Sequence, residues 1–446
     1  MLKLSEYLIP NSVKFILSRL KQSGFEAYIV GGCVRDLLLG ISPHDWDITT
    51  NALPHQTKKC FSDLQVIETG IKHGTVSILY NNETYEITTY RIDSSYSDNR
   101  HPDNVIFTGC LTKDLARRDF TINAIAADIN GQIIDPFSGQ KDIQDRTIRA
   151  VGNPDDRFQE DALRILRALR FASKLDFVID NKTALSILKN CKLLENIANE
   201  RIAKEFQDIL CGKNAERILI KFRDVIAVFI PEIKVTFDFV QHNPYHIYNV
   251  FEHIVKSIQY ANSDKIVKLA MFFHDIGKPE CYSLDLRGIG HFYGHAQKSY
   301  NISEIVLKRL RFDNKTISQV SGLVKYHDLV LQPKSRFVLR MLNKIGEEQF
   351  RRLLEVHKAD VAAQSVLGQI EQATLITDTY KILEQILIEQ KAFNVKDLEI
   401  NGRDLMELGF QQGPEIGKML NKALEAVING EPNSKEVLLD FCKNNI

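Results

Sequence analysis

A glycine pair and two nearby aspartates are the residues whose types and spacing most clearly suggest chemistry. Gly31 and Gly32 follow the apolar run Ala27–Val30, and Asp45 and Asp47 come shortly afterwards. Glycines at the end of a strand let backbone N–H groups approach an anion at the start of the next helix, where the helix dipole favours negative charge. On a strand, the two carboxylates would point to the same face, and such a pair suits Mg²⁺ bound together with substrate phosphates. The stretch therefore predicts metal-assisted transfer from a nucleoside triphosphate.

A third carboxylate and an arginine pair are candidates for the same site. Two-metal phosphoryl transfer normally needs a further carboxylate. Glu86 alternates with apolar neighbours on a predicted partner strand, although an exposed strand glutamate would show the same pattern. Arg117 and Arg118 come just before an apolar run. Beside a triphosphate they would clamp phosphate or ribose, whereas elsewhere they would only mark a solvated helix start capped by Asp119 or Thr121.

A second cluster of charged residues has helical spacing. Asp161, Arg164 and Arg167 are three residues apart, and Arg170 follows after three more. We expect them on one face of a helix, where Asp161 and Arg164 could form an ordinary ion pair. An aspartate beside an arginine fork also offers acceptors and donors that match the Watson–Crick edge of cytosine or adenine. In that interpretation the protein, not a nucleic-acid template, selects the base.

Histidines form a separate pattern in the second half of the chain. An adjacent His-Asp pair, with further histidines on either side and a second pair at His327-Asp328, resembles the HD metal-dependent phosphohydrolase domain. The predicted ligands are His253, His274, Asp275, His295 and Asp328, and His242, His246 and His291 leave the exact set open. Imidazoles with a carboxylate suit Ni²⁺, Mn²⁺ or Fe²⁺ better than Mg²⁺. The resemblance implies a side activity on 2′,3′-cyclic or 2′-phosphate ends, and the alternative is a set of ordinary core histidines.

The elements that must position these residues differ between the two parts of the chain. The first 150 residues mix helical stretches with strand-like runs at Thr75–Tyr80, Tyr85–Tyr90 and Ile133–Ile134. From about Asp155 onward the apolar spacing is almost wholly helical. The sequence therefore predicts a mixed α/β or α+β domain that carries an all-helical remainder.

Composition narrows the class of protein. A chain of 446 residues exceeds the usual single core, so several domains are expected. Lysine plus arginine and aspartate plus glutamate both number 57, so RNA binding would need a local basic patch. The seven cysteines are scattered and never form a C-x-x-C pair, which indicates a reduced, cytoplasmic setting. No apolar run reaches membrane-spanning length and the start lacks a signal-peptide layout, so no membrane partner is expected.

The motifs of the first half resemble those of class II tRNA nucleotidyltransferases, the CCA-adding enzymes related to bacterial poly(A) polymerases. The ordered matches are Gly31-Gly32-x-Val34-Arg35-Asp36, Asp45-x-Asp47, Arg117-Arg118-Asp119, Asp135-Pro136-Phe137, Glu160-Asp161-x-x-Arg164 and Glu200-Arg201. The resemblance implies an α+β fold, with an N-terminal polymerase-beta-like mixed sheet followed by all-α neck, HD and tail domains. The corresponding boundaries are 1–150 for the head, 151–215 for the nucleotide-selecting neck, 216–335 for the HD domain and 336–446 for a tRNA-binding tail.

The resemblance also implies an activity and a role for each motif. Positions matching Gly32 and Arg35 hold the triphosphate, and those matching Asp45 and Asp47 bind Mg²⁺, with Glu86 as the further catalytic candidate. Contacts to the incoming nucleotide are implied for Arg118, Asp161, Arg164, Arg167 and Arg170. The implied reaction adds C, C and A to tRNA 3′ ends from CTP and ATP, without a template and with release of pyrophosphate.

Several alternatives remain at this point. An A-adding enzyme, a CC-adding enzyme and a poly(A) polymerase share the same motifs. CC-adding relatives lack a flexible loop that is present here as Tyr96–Pro102, so CC-only addition is disfavoured. From other classes, the chain could be an HD phosphohydrolase with an inactive nucleotide-binding module, or an RNA-binding protein without catalysis. The intact Asp45, Asp47 and Glu86 argue against an inactive module.

Overall fold

The computed structural model describes residue 4 and residues 9–68, 70–93 and 105–445. The chain packs into two compact units, Met1–Pro231 and Glu232–Ile446. The predicted α+β class is confirmed, because the first unit holds a mixed sheet and the second is mostly helical. The finer division into four domains stays a prediction, and the predicted loop Tyr96–Pro102 lies outside the described residues.

The first unit is built around a seven-stranded sheet with the strand order β3-β4-β5-β2-β1-β8-β9. Its strands, and the four shorter ones beside the sheet, are β1 (Ala27–Val30), β2 (Asp47–Thr50), β3 (Gln65–Ile67), β4 (Thr75–Tyr80), β5 (Glu83–Thr89), β6 (Arg91–Asp93), β7 (Val105–Phe107), β8 (Ala126–Ala127), β9 (Ile133–Ile134), β10 (Thr147–Ile148) and β11 (Val178–Ile179). Within the sheet, β2 and β5 run parallel and every other described pair is antiparallel. A buried cluster that includes Val30, Tyr90, Leu115 and Ala126 packs against it.

Some helices of the first unit alternate with the strands of the sheet, and the others follow the sheet in the chain. The helices of the first unit are α1 (Asn11–Gln22), α2 (Gly32–Leu38), α3 (Pro54–Cys60), α4 (Leu111–Ala116), α5 (Gly139–Gln144), α6 (Pro154–Glu160), α7 (Leu163–Leu175), α8 (Asn181–Asn190), α9 (Asn199–Leu210), α10 (Ala215–Lys221) and α11 (Arg223–Phe229). Helix α7 is amphipathic, since Ile165, Leu166 and Leu169 are fully buried at helical spacing. That burial fixes the direction in which its arginines point.

One expectation about this region is wrong. Asp161 does not share a helix with the arginines, because its backbone is extended (φ −138°, ψ 102°) and separates α6 from α7. Its carboxylate instead accepts the Leu163 N–H at 3.0 Å, at the start of α7, and lies 3.4 Å from Arg201. An aspartate that binds the first free N–H groups of a helix competes with helix continuation, which explains the break.

The second unit is a helical assembly with one small hairpin. Its helices are α12 (Val250–Tyr260), α13 (Lys265–Phe273), α14 (His295–Arg309), α15 (Asn314–Tyr326), α16 (Ser335–Ile345), α17 (Glu347–Ala362), α18 (Val366–Ile388), α19 (Gly402–Glu407), α20 (Pro414–Asn429) and α21 (Lys435–Lys443). The hairpin pairs β12 (Ser283–Leu284) with β13 (Gly290–His291). Asn249 and Asp264 cap α12 and α13. In the described part of the chain, we find no helix with the length and apolar character needed to span a membrane.

Candidate active site and metal centre

Three carboxylates gather at one edge of the sheet in the first unit. The parallel register of β2 and β5 places Asp47 directly beside Glu86, and Asp45 comes just before β2. Desolvation raises the pKa of Asp47, and the Arg118 charge opposes this shift. Desolvation and then the Asp47 and Asp45 charges also raise the pKa of Glu86. Carboxylates that raise one another's pKa are arranged to bind a cation that would relieve their repulsion.

The oxygen atoms of these three carboxylates are not all within 4.8 Å of one another. Among the described residues, groups of three or more acidic, histidine or cysteine side chains that meet this distance lie in the second unit. Asp45, Asp47 and Glu86 are all exposed to solvent. The edge is therefore open enough for a metal ion to arrive together with a phosphate group.

The glycine pair lies immediately beside this edge. Gly31 has φ +83°, in the left-handed region, and α2 begins at Gly32. A Cβ atom on Gly31 would lie 2.8 Å from Arg118 Nη1 and 3.7 Å from Asp47 Oδ2. The left-handed backbone of Gly31, together with the close approach of Arg118, favours glycine at this position. A guanidinium, a carboxylate and the start of a helix meet here.

Asp114 positions the arginine pair. Its side chain is fully buried and accepts a hydrogen bond from Arg117 Nε at 2.9 Å and from Thr49 Oγ1 at 3.2 Å. Arg118 Nη2 lies 4.0 Å from the same carboxylate. Burial lowers the pKa of Arg118, and the charge of Asp114 opposes this shift. The buried carboxylate of Asp114 therefore contacts both arginines, so the pair is not a solvated helix start.

A hydrogen-bonded chain joins Arg35 on α2 to Arg167 on α7. Arg35 Nη1 donates to Asn123 Oδ1 at 2.7 Å, and Asn123 Nδ2 donates to Asp119 Oδ1 at 3.1 Å. Asp119 Oδ2 accepts from Arg167 Nε at 2.8 Å and from Arg167 Nη2 at 2.6 Å. Burial alone would raise the pKa of Asp119, but the Arg167 charge and the Asn123 hydrogen bond lower it to about 2.

The aromatic ring of Phe171 brings three arginines together. The guanidinium carbons of Arg35, Arg167 and Arg170 lie 5.1, 5.6 and 4.4 Å from its centroid. Arg170 also forms an ion pair with Glu205 at 2.7 Å. Cation and ring attract each other at these distances, so Phe171 fixes the spacing of the three guanidinium groups.

Arg164 has different partners from those expected. It forms an ion pair with Glu160 at 2.7 Å and donates to the Arg117 carbonyl at 3.0 Å, while Asp161 contacts Arg201. Arg164 therefore connects α7 to the arginine pair through the main chain. Sequence reasoning missed Asp114, Asn123 and Phe171. Each lies within a few residues of a predicted motif, and that proximity was the only available signal.

The second unit contains a buried cluster of histidines and aspartates. Two groups of metal-type ligand atoms share Asp275. One consists of His253, His274, Asp275 and Asp360, and the other of Asp275, His295 and His327. His274 Nε2 lies 3.3 Å from His253 Nε2, and His295 Nε2 lies 3.1 Å from His327 Nε2. The cluster therefore gathers six side chains, from several helices and the turn after α13, around one shared carboxylate.

The hydrogen bonds around this cluster fit a bound cation. His274, His295 and His327 each direct Nδ1 at a main-chain carbonyl oxygen, at 2.7, 2.8 and 2.7 Å. In a neutral imidazole, an Nδ1–H that donates to a carbonyl leaves Nε2 without a proton, so that its lone pair can face a cation in the cluster. Asp275 is buried, and its Oδ2 lies 2.7 Å from Lys278 Nζ. Imidazole nitrogens that converge on a buried carboxylate are a donor set that suits a transition-metal ion.

The structure places Asp328 outside both groups. Its side chain is 65% exposed, and its carboxylate lies 4.0 Å from His295 Nδ1, a nitrogen that already faces a carbonyl. His327 directly follows α15 and is buried, so the next residue points to solvent. Asp360, in α17, takes the place predicted for Asp328 and lies 2.7 Å from His253 Nε2.

Comparisons with known proteins identify the family to which the chain belongs. Residues 27–149 match the family of the poly A polymerase head domain, 176–235 a probable RNA-binding site of polymerase A, and 295–442 a putative tRNA nucleotidyltransferase domain 2. The CCA-adding enzyme of Limosilactobacillus reuteri is 37% identical over 427 residues, which cover 95% of this chain and 94% of that protein. That of Enterococcus faecalis is 34% identical over 441 residues, covering 98% and 97%. The chain belongs to the CCA-adding enzymes.

A solved structure extends this family relationship to the fold. The Bacillus stearothermophilus CCA-adding enzyme, determined in complex with CTP, matches with a TM-score of 0.73 and 29% identity, covering 97% of this chain and 96% of that one. The match to the head-domain family spans both the carboxylate edge and the arginine pair. As a CCA-adding enzyme, the chain is a nucleotidyltransferase, and its family implies dependence on a divalent metal ion.

Proposed function

We propose that this protein completes tRNA 3′ ends by adding C, C and A in turn from CTP and ATP, with Mg²⁺ as the metal and pyrophosphate as the product. The observation that carries the proposal is the meeting of Asp47, Glu86 and Arg118 beside the Gly31 turn. Carboxylates for a metal and a guanidinium for phosphate at a helix start suit transfer of a nucleotidyl group. Near-complete coverage by CCA-adding relatives supports tRNA as the acceptor.

The roles proposed for the individual residues rest on the resemblance to the CCA-adding enzymes together with the contacts described above. Asp45, Asp47 and Glu86 would hold Mg²⁺, which when bound neutralises charge and aligns the tRNA 3′-hydroxyl for in-line attack on the α-phosphate. Gly32, Arg35 and Arg118 would orient the triphosphate, so that the bond to pyrophosphate breaks as the new phosphodiester forms. The base would be selected by Asp161, Arg164, Arg167 and Arg170. Of these, Arg167 is connected to Arg35 through Asp119 and Asn123.

The same reasoning supports the four-domain division as a proposal. The carboxylate edge and the arginine pair lie within the head at 1–150, and the arginine face of α7 lies within the neck at 151–215. The histidine cluster extends beyond 216–335, because Asp360 lies in the proposed tail at 336–446. Free cysteines at all seven positions favour a reducing compartment, so we place the protein in the cytoplasm.

The test is an incorporation assay on tRNA that ends at the discriminator base. Purified protein receives CTP, ATP and Mg²⁺, and product length is read to single-nucleotide resolution. Three added residues support the proposal, whereas two, one or a ladder would indicate CC addition, A addition or poly(A) synthesis. Asp45→Ala should abolish addition, while Asp63→Ala is the matched control, because Asp63 is an exposed aspartate of the same unit whose surface ion pair contributes little. Loss of activity in both variants would contradict the assignment.

A second activity is favoured by the histidine cluster. We propose that the second unit hydrolyses phosphate esters, such as 2′,3′-cyclic or 2′-phosphate ends, with Ni²⁺, Mn²⁺ or Fe²⁺ bound to His253, His274, Asp275, His295, His327 and Asp360. In this reaction a water oxygen bonds to phosphorus, the ester P–O bond breaks, and the water proton ends on the leaving alcohol. Lys278 Nζ, buried beside Asp275, supplies a positive charge for the phosphate. Metal analysis of the intact protein together with a phosphatase assay tests this, and Asp275→Asn should remove both the metal and the activity.

A further inference from the structure

A single aromatic ring in the first unit has three cationic neighbours. Phe171, on α7, is 6% exposed, and the guanidinium carbons of Arg35, Arg167 and Arg170 lie 5.1, 5.6 and 4.4 Å from its centroid. Arg167 and Arg170 belong to α7 itself, whereas Arg35 comes from α2, which begins at the glycine turn. The ring therefore connects a residue proposed to orient the triphosphate with two residues proposed to select the base.

Buried contacts fix the orientation of this ring. The fully buried Phe120 ring meets it edge to face, with centroids 5.8 Å apart and an interplanar angle of 80°. Aromatic pairs in this arrangement attract each other. The Phe120 N–H donates to Asp119 Oδ1 at 2.8 Å, and Asp119 Oδ2 accepts from Arg167. The arginines therefore take their positions relative to a ring that is itself held in place.

An aromatic ring holds a guanidinium in a different way from a carboxylate. A carboxylate accepts N–H groups and thereby occupies donors of the arginine, as Asp119 does with Nε and Nη2 of Arg167. A ring attracts the positive charge through its electron-rich face, without a directed bond to any one N–H group. A guanidinium ordered by a ring therefore keeps donors for phosphate oxygens or for a nucleobase.

We infer that Phe171 is a positioning residue for nucleotide binding, whose π face couples Arg35 at the triphosphate to Arg167 and Arg170 at the base. The inference deepens the proposed function and rests on the roles given there to these arginines. A weaker attraction to the ring leaves the three guanidinium groups less ordered before the nucleotide arrives, so binding must order them. Contacts to the triphosphate and to the base then weaken together.

Fluorinated phenylalanines at position 171 test the π face with little change in the shape of the side chain. Each fluorine withdraws electron density from the ring and weakens its attraction for a cation, so analogues with one, two and three fluorine atoms form a graded series. The Michaelis constants for CTP and ATP should rise along the series, by about 2- to 30-fold in total, the factor that corresponds to one cation–π contact. The turnover number should change little, because the proposed metal ligands are unaltered.

A ligand without a base tests the coupling itself. Inorganic triphosphate competes with CTP for the triphosphate contacts alone, so its inhibition constant reports on Arg35. This constant should also rise with each fluorine at Phe171. If CTP binding weakens while the inhibition constant stays the same, the ring acts on the base-selecting face only and the coupling is overturned. Michaelis constants that fall, or that do not follow the number of fluorine atoms, would contradict the attraction to the ring.

Phe158 provides the matched control. It lies on α6 in the same unit and is fully buried, and none of the ring or cation contacts among the described residues involves it. The same fluorinated series at Phe158 should leave the Michaelis constants unchanged. Urea unfolding should give similar midpoints throughout both series. A Michaelis constant that rises only where the midpoint falls would show that Phe171 acts through packing alone.

Arg35→Ala and Arg167→Ala test separately the roles on which the inference rests. If neither variant changes the Michaelis constant for CTP, the proposed roles of these arginines are contradicted. If both variants raise it and the fluorinated series at Phe171 does not, the roles of the arginines stand and the coupling through the ring is refuted.

Discussion

Replacement of Asp119 by asparagine tests whether its charge holds α7 against the head of the first unit. Asp119 is 7% exposed and binds Arg167 through two hydrogen bonds. The introduced asparagine would retain the shape and could still accept from the Phe120 N–H and Asn123. The change therefore removes the charge and little else, and Arg167 would lose its only carboxylate partner among the described ion pairs.

The size of the effect follows from the pKa. Asp119 titrates at about 2 in the folded protein, against roughly 3.9 in an unfolded chain. That difference corresponds to about 2.5 kcal/mol of stability. Because the folded pKa is the lower one, this stability is present above about pH 4 and is lost as the pH falls towards 2. The gap between wild type and Asp119→Asn should be constant near neutrality and close below pH 4.

Urea unfolding followed by Trp46 fluorescence measures this, since Trp46 lies in the first unit. A loss of about 2.5 kcal/mol should lower the midpoint by roughly 1 M urea. The Michaelis constants for CTP and ATP should rise together, because the orientation of Arg167 depends on Asp119. Asp145→Asn, at an exposed aspartate of the same unit, is the control. An unchanged midpoint at pH 7, or a full gap that persists at pH 2, would refute the reasoning.

Three further changes have expected outcomes. Asp47→Asn should lower nucleotide incorporation by a factor of about 10³ or more, because several kcal/mol of metal-based charge stabilisation are lost, while a gel-shift assay shows unchanged tRNA binding. Gly31→Ala should weaken CTP binding in calorimetry because its Cβ would meet a guanidinium at 2.8 Å, whereas Gly24→Ala, with a similar φ of +88° and no atom within 4 Å, should only destabilise the fold. Asp360→Asn should reduce the transition metal retained by the second unit in elemental analysis, and Asp328→Asn should not.

The local parts of the first site could be predicted because they depend on neighbouring residues. The strand that ends at Val30, the turn at Gly31 and the helix from Gly32 follow from short-range sequence signals. The sequence predicts that Glu86 lies on a partner strand, but it does not predict that Glu86 pairs with Asp47. A parallel register joins strands that are distant in the chain, and no short-range signal specifies which residues of the two strands are neighbours.

The two wrong predictions, for Asp161 and for Asp328, have different physical causes. Asp161 fits helical spacing, but an aspartate can bind free N–H groups and end one helix before the next begins, so spacing alone was insufficient. Asp360 lies in the last turn of α17 without an adjacent histidine, and an aspartate in an amphipathic helix is normally a solvated residue. Its place in the histidine cluster depends on how α17 packs against α12 and α13, which the sequence does not show.

The three arginines around Phe171 also determine how an anion can enter that site. Each already has a carboxylate partner, with Arg35 paired to Asp36, Arg167 to Asp119 and Arg170 to Glu205. An incoming nucleotide therefore meets guanidinium groups whose charge is already largely compensated by the protein. Few counterions are held at such groups, so few are released on binding and the affinity for nucleotide should depend only weakly on salt.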